Sequence, residues 1–237
     1  MESIETRLAN QNWKEIINEL HHKGFVIVRN VLNQRECDTL VAAYNDDNTY
    51  RKTINMERYR FGQGEYKYFQ YPLPPLITTL REKVYAAIVP VANQWMQELG
   101  ISKRFPETHQ EMKALCREHQ QEKPTILILK YSEGGFNTLH QDLYGEIYFP
   151  MQMVFMLDQI DQDYTGGEFV LTEQIPRAQS KANVLKPNCG DMIIFTTQFR
   201  SAKGSKGFYR VNMKHGVSPI HSGNRHSLGI IFHDALS

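Results

Sequence analysis

The chain has 237 residues, with 27 Lys and Arg against 26 Asp and Glu, a formal charge of +1 and 41% hydrophobic residues. Such a length can bury a sizeable core in one elaborated domain, and so even a balance gives no general pull on nucleic acid, so a polyanionic partner has to be held by a local patch. Cys37, Cys116 and Cys189 show no C-x-x-C spacing, the first residues lack a basic-then-apolar leader, and no apolar run nears the roughly 18–20 residues of a membrane span; the expectation is a reduced, cytoplasmic protein without a membrane role.

From the N-terminus, Asn12 can cap a helix whose Trp13, Ile16, Ile17 and Leu20 recur at helical spacing before Gly24. Phe25-Val26-Ile27-Val28 then reads as a strand. A second helix is expected from near Asn33, with Cys37, Leu40, Val41 and Tyr44 as its buried stripe and Cys37 acting as a small core hydrophobe. From Asn45 to Pro75 the periodicity disappears. Tyr50-Arg51-Lys52, Arg58-Tyr59-Arg60-Phe61 and Tyr66-Lys67-Tyr68-Phe69-Gln70-Tyr71 interleave cations with rings. That composition can offer phosphate contacts and stacking faces to an unpaired nucleotide, and it equally suits a long loop pinned to the core by its rings. Pro74-Pro75 opens a long scaffold helix along Ile77, Leu80, Val84, Ala87, Ile88, Val91 and Trp95, with a kink expected at Pro90. A polar helix over 107–121 follows, and its His109 and His119, among charged neighbours, are expected on a solvated face.

After Pro124 the period shortens. Strands are predicted over 125–131, 146–157, 167–172, 182–185, 191–196, 208–217 and 227–233, separated by Gly, Pro, Asn and Lys clusters. The fold class is α+β: a helical support and lid region (1–123) buttressing a jelly-roll core (124–237), packed as one domain over 1–237.

Within that core, Thr138-Leu139-His140-Gln141-Asp142 carries an H-x-D pair; His215 lies on a later strand and Arg225 ten residues beyond it. Two neutral imidazoles and one carboxylate hold Fe(II) on one face and leave three positions for a bidentate 2-oxo acid and dioxygen. Residues two apart in a strand share a side, so His140 and Asp142 can chelate one ion from one sheet face. On the later strand Tyr209, Val211, Met213 and His215 alternate with Arg210 and Lys214, which turns His215 inward. In the last strand Arg225, Ser227, Gly229 and Ile231 share a face, and a guanidinium fork beside a hydroxyl suits the distal carboxylate of a 2-oxo diacid. His221, His226 and His233 are nearby rivals, expected to be bystanders or supporting groups.

These residues carry a resemblance. The C-terminal half resembles the double-stranded β-helix of the Fe(II)/2-oxoglutarate-dependent oxygenases. The runs Gly62 to Phe69, Leu139 to Gly145, Thr165 to Glu173, Tyr209 to Asn212 and His215 to Ser218 are similar to a bacterial oxygenase family assigned to nucleic acids. The resemblance implies that His140, Asp142 and His215 take Fe(II). It implies that Arg225 takes 2-oxoglutarate with Ser227 beside it, and that Tyr131, nine residues before His140, assists cosubstrate binding. It also implies hydroxylation or oxidative demethylation of a modified, alkylated nucleic acid, single-stranded or damaged; the expected substrate contacts are Arg58, Arg60, Tyr66 and Tyr68 of the cation-and-ring segment, together with Tyr144. Oxidative nucleic-acid demethylases, however, carry Asn where this chain has Leu129, and space the Arg differently after the distal His. The alternative is a hydroxylase of a protein side chain, like the prolyl hydroxylases, or of a small metabolite. A non-catalytic jelly-roll binding module is opposed by the intact triad.

Overall fold

The computed structural model describes residues 2–143 and 145–237. Its helices begin where the caps demand. A short α1 (Ile4–Ala9), too brief to show a period, starts on Ser3, and α2 (Trp13–Lys23) starts on Asn12, whose side chain accepts from the Glu15 N–H. α2 ends at Gly24, which takes the left-handed conformation that only glycine adopts without strain. β1 (Phe25–Val28) follows, then α3 (Gln34–Ala43), opened by a capping box between Asn33 and Glu36. Cys37 is buried in the core as expected.

The segment after α3 corrects the expectation of a structureless stretch. It forms β2 (Tyr50–Asn55), β3 (Gly62–Gln63) and β4 (Glu65–Phe69), with a 3₁₀ turn at Glu57–Tyr59. β2 and β4 pair antiparallel and continue the larger sheet. The alternation of strands was hidden because several cations here pack on rings instead of facing water. The Lys67 ammonium lies 2.8 Å from Asp47 and 4.8 Å from the Tyr44 ring centre, and the Arg51 guanidinium 4.7 Å over Tyr68.

α4 (Pro75–Glu98) runs as one helix with Pro90 inside it, and α5 (His109–Glu118) starts on a capping box of Thr108 and Glu111. His109 is a second correction: it is only 4% exposed, its Nε2 2.9 Å from the Phe232 carbonyl and its ring edge-on to Tyr85. It shares the buried stripe of α5 with Met112 and Cys116, while its neighbours Thr108, Gln110 and Glu111 face water. His119, at the end of that helix, is half-buried.

The rest is strand: β5 (Leu127–Tyr131), β6 (Phe136–His140), β7 (Met151–Met156), β8 (Tyr164–Gly166), β9 (Phe169–Gln174), β10 (Lys181–Leu185), β11 (Met192–Thr196), β12 (Phe199–Gly204), β13 (Gly207–Val217), β14 (Ile220–Gly223) and β15 (Arg225–Ile231). The major sheet has the order β1-β11-β7-β15-β5-β4-β2; the minor sheet runs β10-β9-β13-β6-β3, with β12 also on β13. All these named strands pair antiparallel, in the jelly-roll arrangement. One large cluster joins residues from Ile4 to Phe232, including Trp95 and Leu80 of α4 and Met153 and Phe155 of β7. The helices therefore cover one face of the major sheet, and its other face is left for the minor sheet and the cavity between them.

Candidate active site

The minor sheet brings two histidines together by register. His215 of β13 pairs directly with His140 of β6, and their ring centres are 4.2 Å apart. The alternation along β13 holds, with Val211, Met213 and His215 buried and Arg210, Asn212 and Lys214 exposed. Asp142 is placed differently from expectation, since β6 ends at His140 and the carboxylate stands on the loop just beyond it. Freed from the ladder, it turns between the two rings, Oδ1 3.5 Å from His140 Nε2 and Oδ2 3.2 Å from His215 Nε2. The nearest ligand atoms of the three residues all lie within 4.8 Å of one another.

The electrostatics suit a ligand set. Burial works against the charge of Asp142, yet His215 and His140 hold its carboxyl well below the usual carboxylate range. Burial and the neighbouring His140 push His215 down, towards the neutral imidazole that binds metal. For His140 the lowering by burial is outweighed by Asp142, so it is raised. The Thr138 carbonyl lies 2.7 Å from His140 Nδ1, so a proton there donates to it and leaves the Nε2 lone pair facing Asp142.

Gln152 of β7 was not anticipated. It is 5% exposed, and its amide nitrogen donates to Asp142 Oδ2 at 2.7 Å and lies 3.2 Å from His215 Nε2. Its only signal in the sequence is a polar residue inside the apolar run Met151-Gln152-Met153-Val154-Phe155-Met156.

From the opposing major sheet comes Arg225, at the start of β15 and paired across the ladder with Tyr131 of β5. It is 1% exposed; Nη1 donates to Ser227 Oγ at 3.2 Å, Nη2 lies 3.2 Å from the Met156 sulfur, and Nε has no hydrogen bond among the described residues. Among the described residues no carboxylate oxygen comes within 4.0 Å of it. A buried guanidinium without an anion is costly, so this arrangement is built for an anionic ligand. Tyr131 is fully buried, its ring 5.6 Å from the guanidinium; burial pushes its hydroxyl up to about 12 despite the opposing cation.

His140, Asp142, His215, Gln152, Arg225, Ser227 and Tyr131 all line one cavity of about 260 Å³. Tyr66 and Tyr68, from β4, form part of its wall together with Phe61 and Met56. Arg58 and Arg60 do not line it: both are exposed on the turn between β2 and β3. Tyr144 lies outside the described residues. The rival histidines stand apart. His221 is exposed, His226 pairs through Nδ1 with Asp158 at 2.8 Å, and His233 accepts the Phe149 N–H at 3.1 Å.

Residues 64–235 match the family described as "Oxygenase, catalysing oxidative methylation of damaged DNA". Two uncharacterized proteins of Mycobacterium tuberculosis, from strains CDC 1551 and H37Rv, are each 41% identical over 167 residues, covering 70% of this chain and 72% of theirs. The chain belongs to this oxygenase family. The fold of this oxygenase is similar to a prolyl hydroxylase of Trichoplax adhaerens in complex with a hypoxia inducible factor peptide fragment (TM-score 0.58, 15% identity, 98% of this chain and 92% of that one). It is similar also to a prolyl-4-hydroxylase of Pseudomonas putida (0.55, 14%, 94% and 98%) and a 2OG-Fe(II) oxygenase of Burkholderia pseudomallei (0.54, 14%, 95% and 94%). The protein is an oxygenase, and its fold is the double-stranded β-helix of these 2OG-Fe(II) enzymes.

The cofactors of this oxygenase class fit the residues present. Two imidazoles and a carboxylate converging from one side are the donor set that non-haem Fe(II) takes with positions to spare. The unpaired Arg225 supplies the permanent charge that a dicarboxylate needs. No helix among the described residues is long and apolar enough to cross a membrane.

Proposed function

We propose that this dioxygenase hydroxylates or oxidatively demethylates a modified, alkylated nucleic acid. In this reading His140, Asp142 and His215 hold Fe(II), while Arg225, with Ser227 and Tyr131 around it, takes the distal carboxylate of 2-oxoglutarate. The observation that carries it is one cavity holding both a three-donor cluster and a buried guanidinium without a carboxylate partner. When bound, the iron and its cosubstrate supply the oxidation: 2-oxoglutarate and dioxygen become succinate and carbon dioxide while one oxygen atom goes into a substrate C–H bond.

The chain's own work is orientation. The Thr138 carbonyl fixes the His140 tautomer, Gln152 steadies the Asp142 carboxylate, and Arg225 aligns the cosubstrate through a forked pair. Leu127, Leu129 and Val154 help keep the reacting centre dry. Residues 1–237 act as one oxygenase unit, a reading supported by the core cluster that spans both halves.

The nucleic-acid substrate is supported by the family description and by Phe61, Tyr66 and Tyr68, rings against which an extruded base can stack. The likeness to prolyl hydroxylases, at 14–15% identity, speaks to fold and carries no substrate. The test is turnover with Fe(II), 2-oxoglutarate and a panel of N-methylated single-stranded oligonucleotides, with formaldehyde and succinate measured together. Equimolar release of both is expected from at least one member. No formaldehyde from any of them, alongside succinate driven by a proline peptide or a metabolite, would refute the nucleic-acid reading.

A further inference from the structure

The near-neutral total charge conceals an uneven distribution. Between Asp191 and Asp234 there is no acidic residue, yet that stretch holds Arg200, Lys203, Lys206, Arg210, Lys214 and Arg225. Two of the six are committed, Arg225 to the cavity and Arg200 to Glu173 at 3.0 Å. The other four are exposed on the β12–β13 hairpin, and among the described residues none has a carboxylate oxygen within 4.0 Å. Register puts them on a common side. Along β13 the exposed positions are Phe208, Arg210, Asn212 and Lys214, alternating with the buried Val211, Met213 and His215. Lys203 of β12 pairs directly with Phe208, and Lys206 sits in the turn. Phe208 is 42% exposed on this face, a ring in water among cations.

We propose that this open face of the minor sheet is the track along which a single-stranded polynucleotide lies while one of its nucleotides occupies the cavity. The inference rests on the nucleic-acid reading above and adds the surface that holds the strand. Three features favour this occupant. Among the described residues none of the four cations has a carboxylate partner, the Arg210 guanidinium lying 4.8 Å over the Phe199 ring instead, so their charge is available to phosphates. Phe208 offers a stacking face between them, as surfaces for unpaired strands do. The track ends on the strand that carries the chemistry, on its opposite face: Lys214 adjoins His215, and at about 3.4 Å per residue the strand carries the positive face roughly 27 Å from Lys214 to the Lys206 turn, the reach of several nucleotides. Arg58 and Arg60, by contrast, give only two exposed cations, on the turn between β2 and β3.

The experiment is fluorescence anisotropy of an unmodified single-stranded oligonucleotide with the full chain, titrated at several salt concentrations. In the variant K203A/K206A/R210A/K214A the slope of log affinity against log salt should fall by about 2–3, at roughly 0.7 for each phosphate no longer neutralised. Lys206→Ala and Arg210→Ala, made singly, should each lower it by about 0.7, a result that stands even where the quadruple variant does not fold. Phe208→Ala should weaken binding by about fivefold to a hundredfold with the slope unchanged. A wild-type slope in the single variants, with the decrease appearing instead in Arg58→Ala and Arg60→Ala, overturns the track and leaves the substrate reading standing. Wild-type protein that binds no oligonucleotide at low salt overturns both, and directs the search to an acidic protein partner.

Discussion

Arg225→Met is the most informative perturbation, because the two states of the site should respond in opposite directions. Methionine keeps much of the apolar stem but removes a charge that is 1% exposed and has no carboxylate within 4.0 Å among the described residues. Without cosubstrate, that charge is a cost to the fold, so the variant should be as stable as wild type or more stable. With cosubstrate, the loss of a forked, buried ion pair should cost about 3–5 kcal/mol, a rise of roughly 150- to 5,000-fold in the 2-oxoglutarate concentration required. Succinate formation titrated against 2-oxoglutarate reads the second effect. Thermal unfolding of the metal-free protein, with and without 2-oxoglutarate plus Mn(II), reads the first and shows whether the ligand-induced shift disappears. An unchanged 2-oxoglutarate requirement would mean that another cation anchors the cosubstrate; a large drop in the stability of the ligand-free protein would mean that Arg225 already has its partner within the fold.

Gln152→Leu removes the donor that reaches Asp142 at 2.7 Å, and Mn(II) affinity should fall about 10- to 100-fold; wild-type affinity would reduce Gln152 to a wall residue. His109 is held neutral by burial, its pKa lowered to about 3, against roughly 6.5 unfolded. The unfolded chain thus binds the extra proton in that window, so this contribution is complete above pH ~6.5 and is lost as pH falls towards 3, by roughly 3 kcal/mol at pH ~4.5. His109→Gln, which can still donate to the Phe232 carbonyl, should flatten urea stability between those two pH values, and parallel losses in both proteins would exclude His109 as a cause. Gly167→Ala forces a side chain into a left-handed φ of 62°, with its Cβ 2.2 Å from Ile220 Cδ1 and 3.1 Å from Arg225 Cδ. It should cost about 1–3 kcal/mol in stability and raise the 2-oxoglutarate requirement, and an unchanged requirement would show that Arg225 is insensitive to that wall.

What was legible in the sequence was whatever one strand or helix could express alone. The alternation of 208–215 gave the inward turn of His215, Asn12, Gly24 and Asn33 marked helix ends, and the common face of Arg225 and Ser227 followed from their spacing. What stayed hidden depends on partners distant in sequence. β6 is exposed or half-buried along its whole length, so Phe136 to His140 has no alternation to read, and only its pairing with β13 reveals a strand. Lys67 and Arg51 masked the β2–β4 pair by packing cations on rings. Gln152 carries no chemical signal until β7 is laid beside β6 and β13, and His109 none until the end of β15 covers it. The basic track is a charge pattern that the balanced total conceals.

The donor cluster belongs to one sheet and its guanidinium to the other. His140 and His215 sit on β6 and β13, whereas Arg225 stands on β15 with β5 and β7 at its sides. On the proposed assignment, a 2-oxo diacid spans the gap with its keto-acid end on the first layer and its far carboxylate on the second. The separation of the layers then works as a caliper for carbon count. The expected outcome is that diacids one carbon shorter or longer than 2-oxoglutarate turn over less well, because Leu129 and Tyr131 line the same cavity and the spacing of two packed sheets sets the room between the ends. Core substitutions that thin or thicken the layer between them, at Phe169 or Phe195 where their rings meet at 5.0 Å and both flank His215, should shift that preference while every ligand residue is kept.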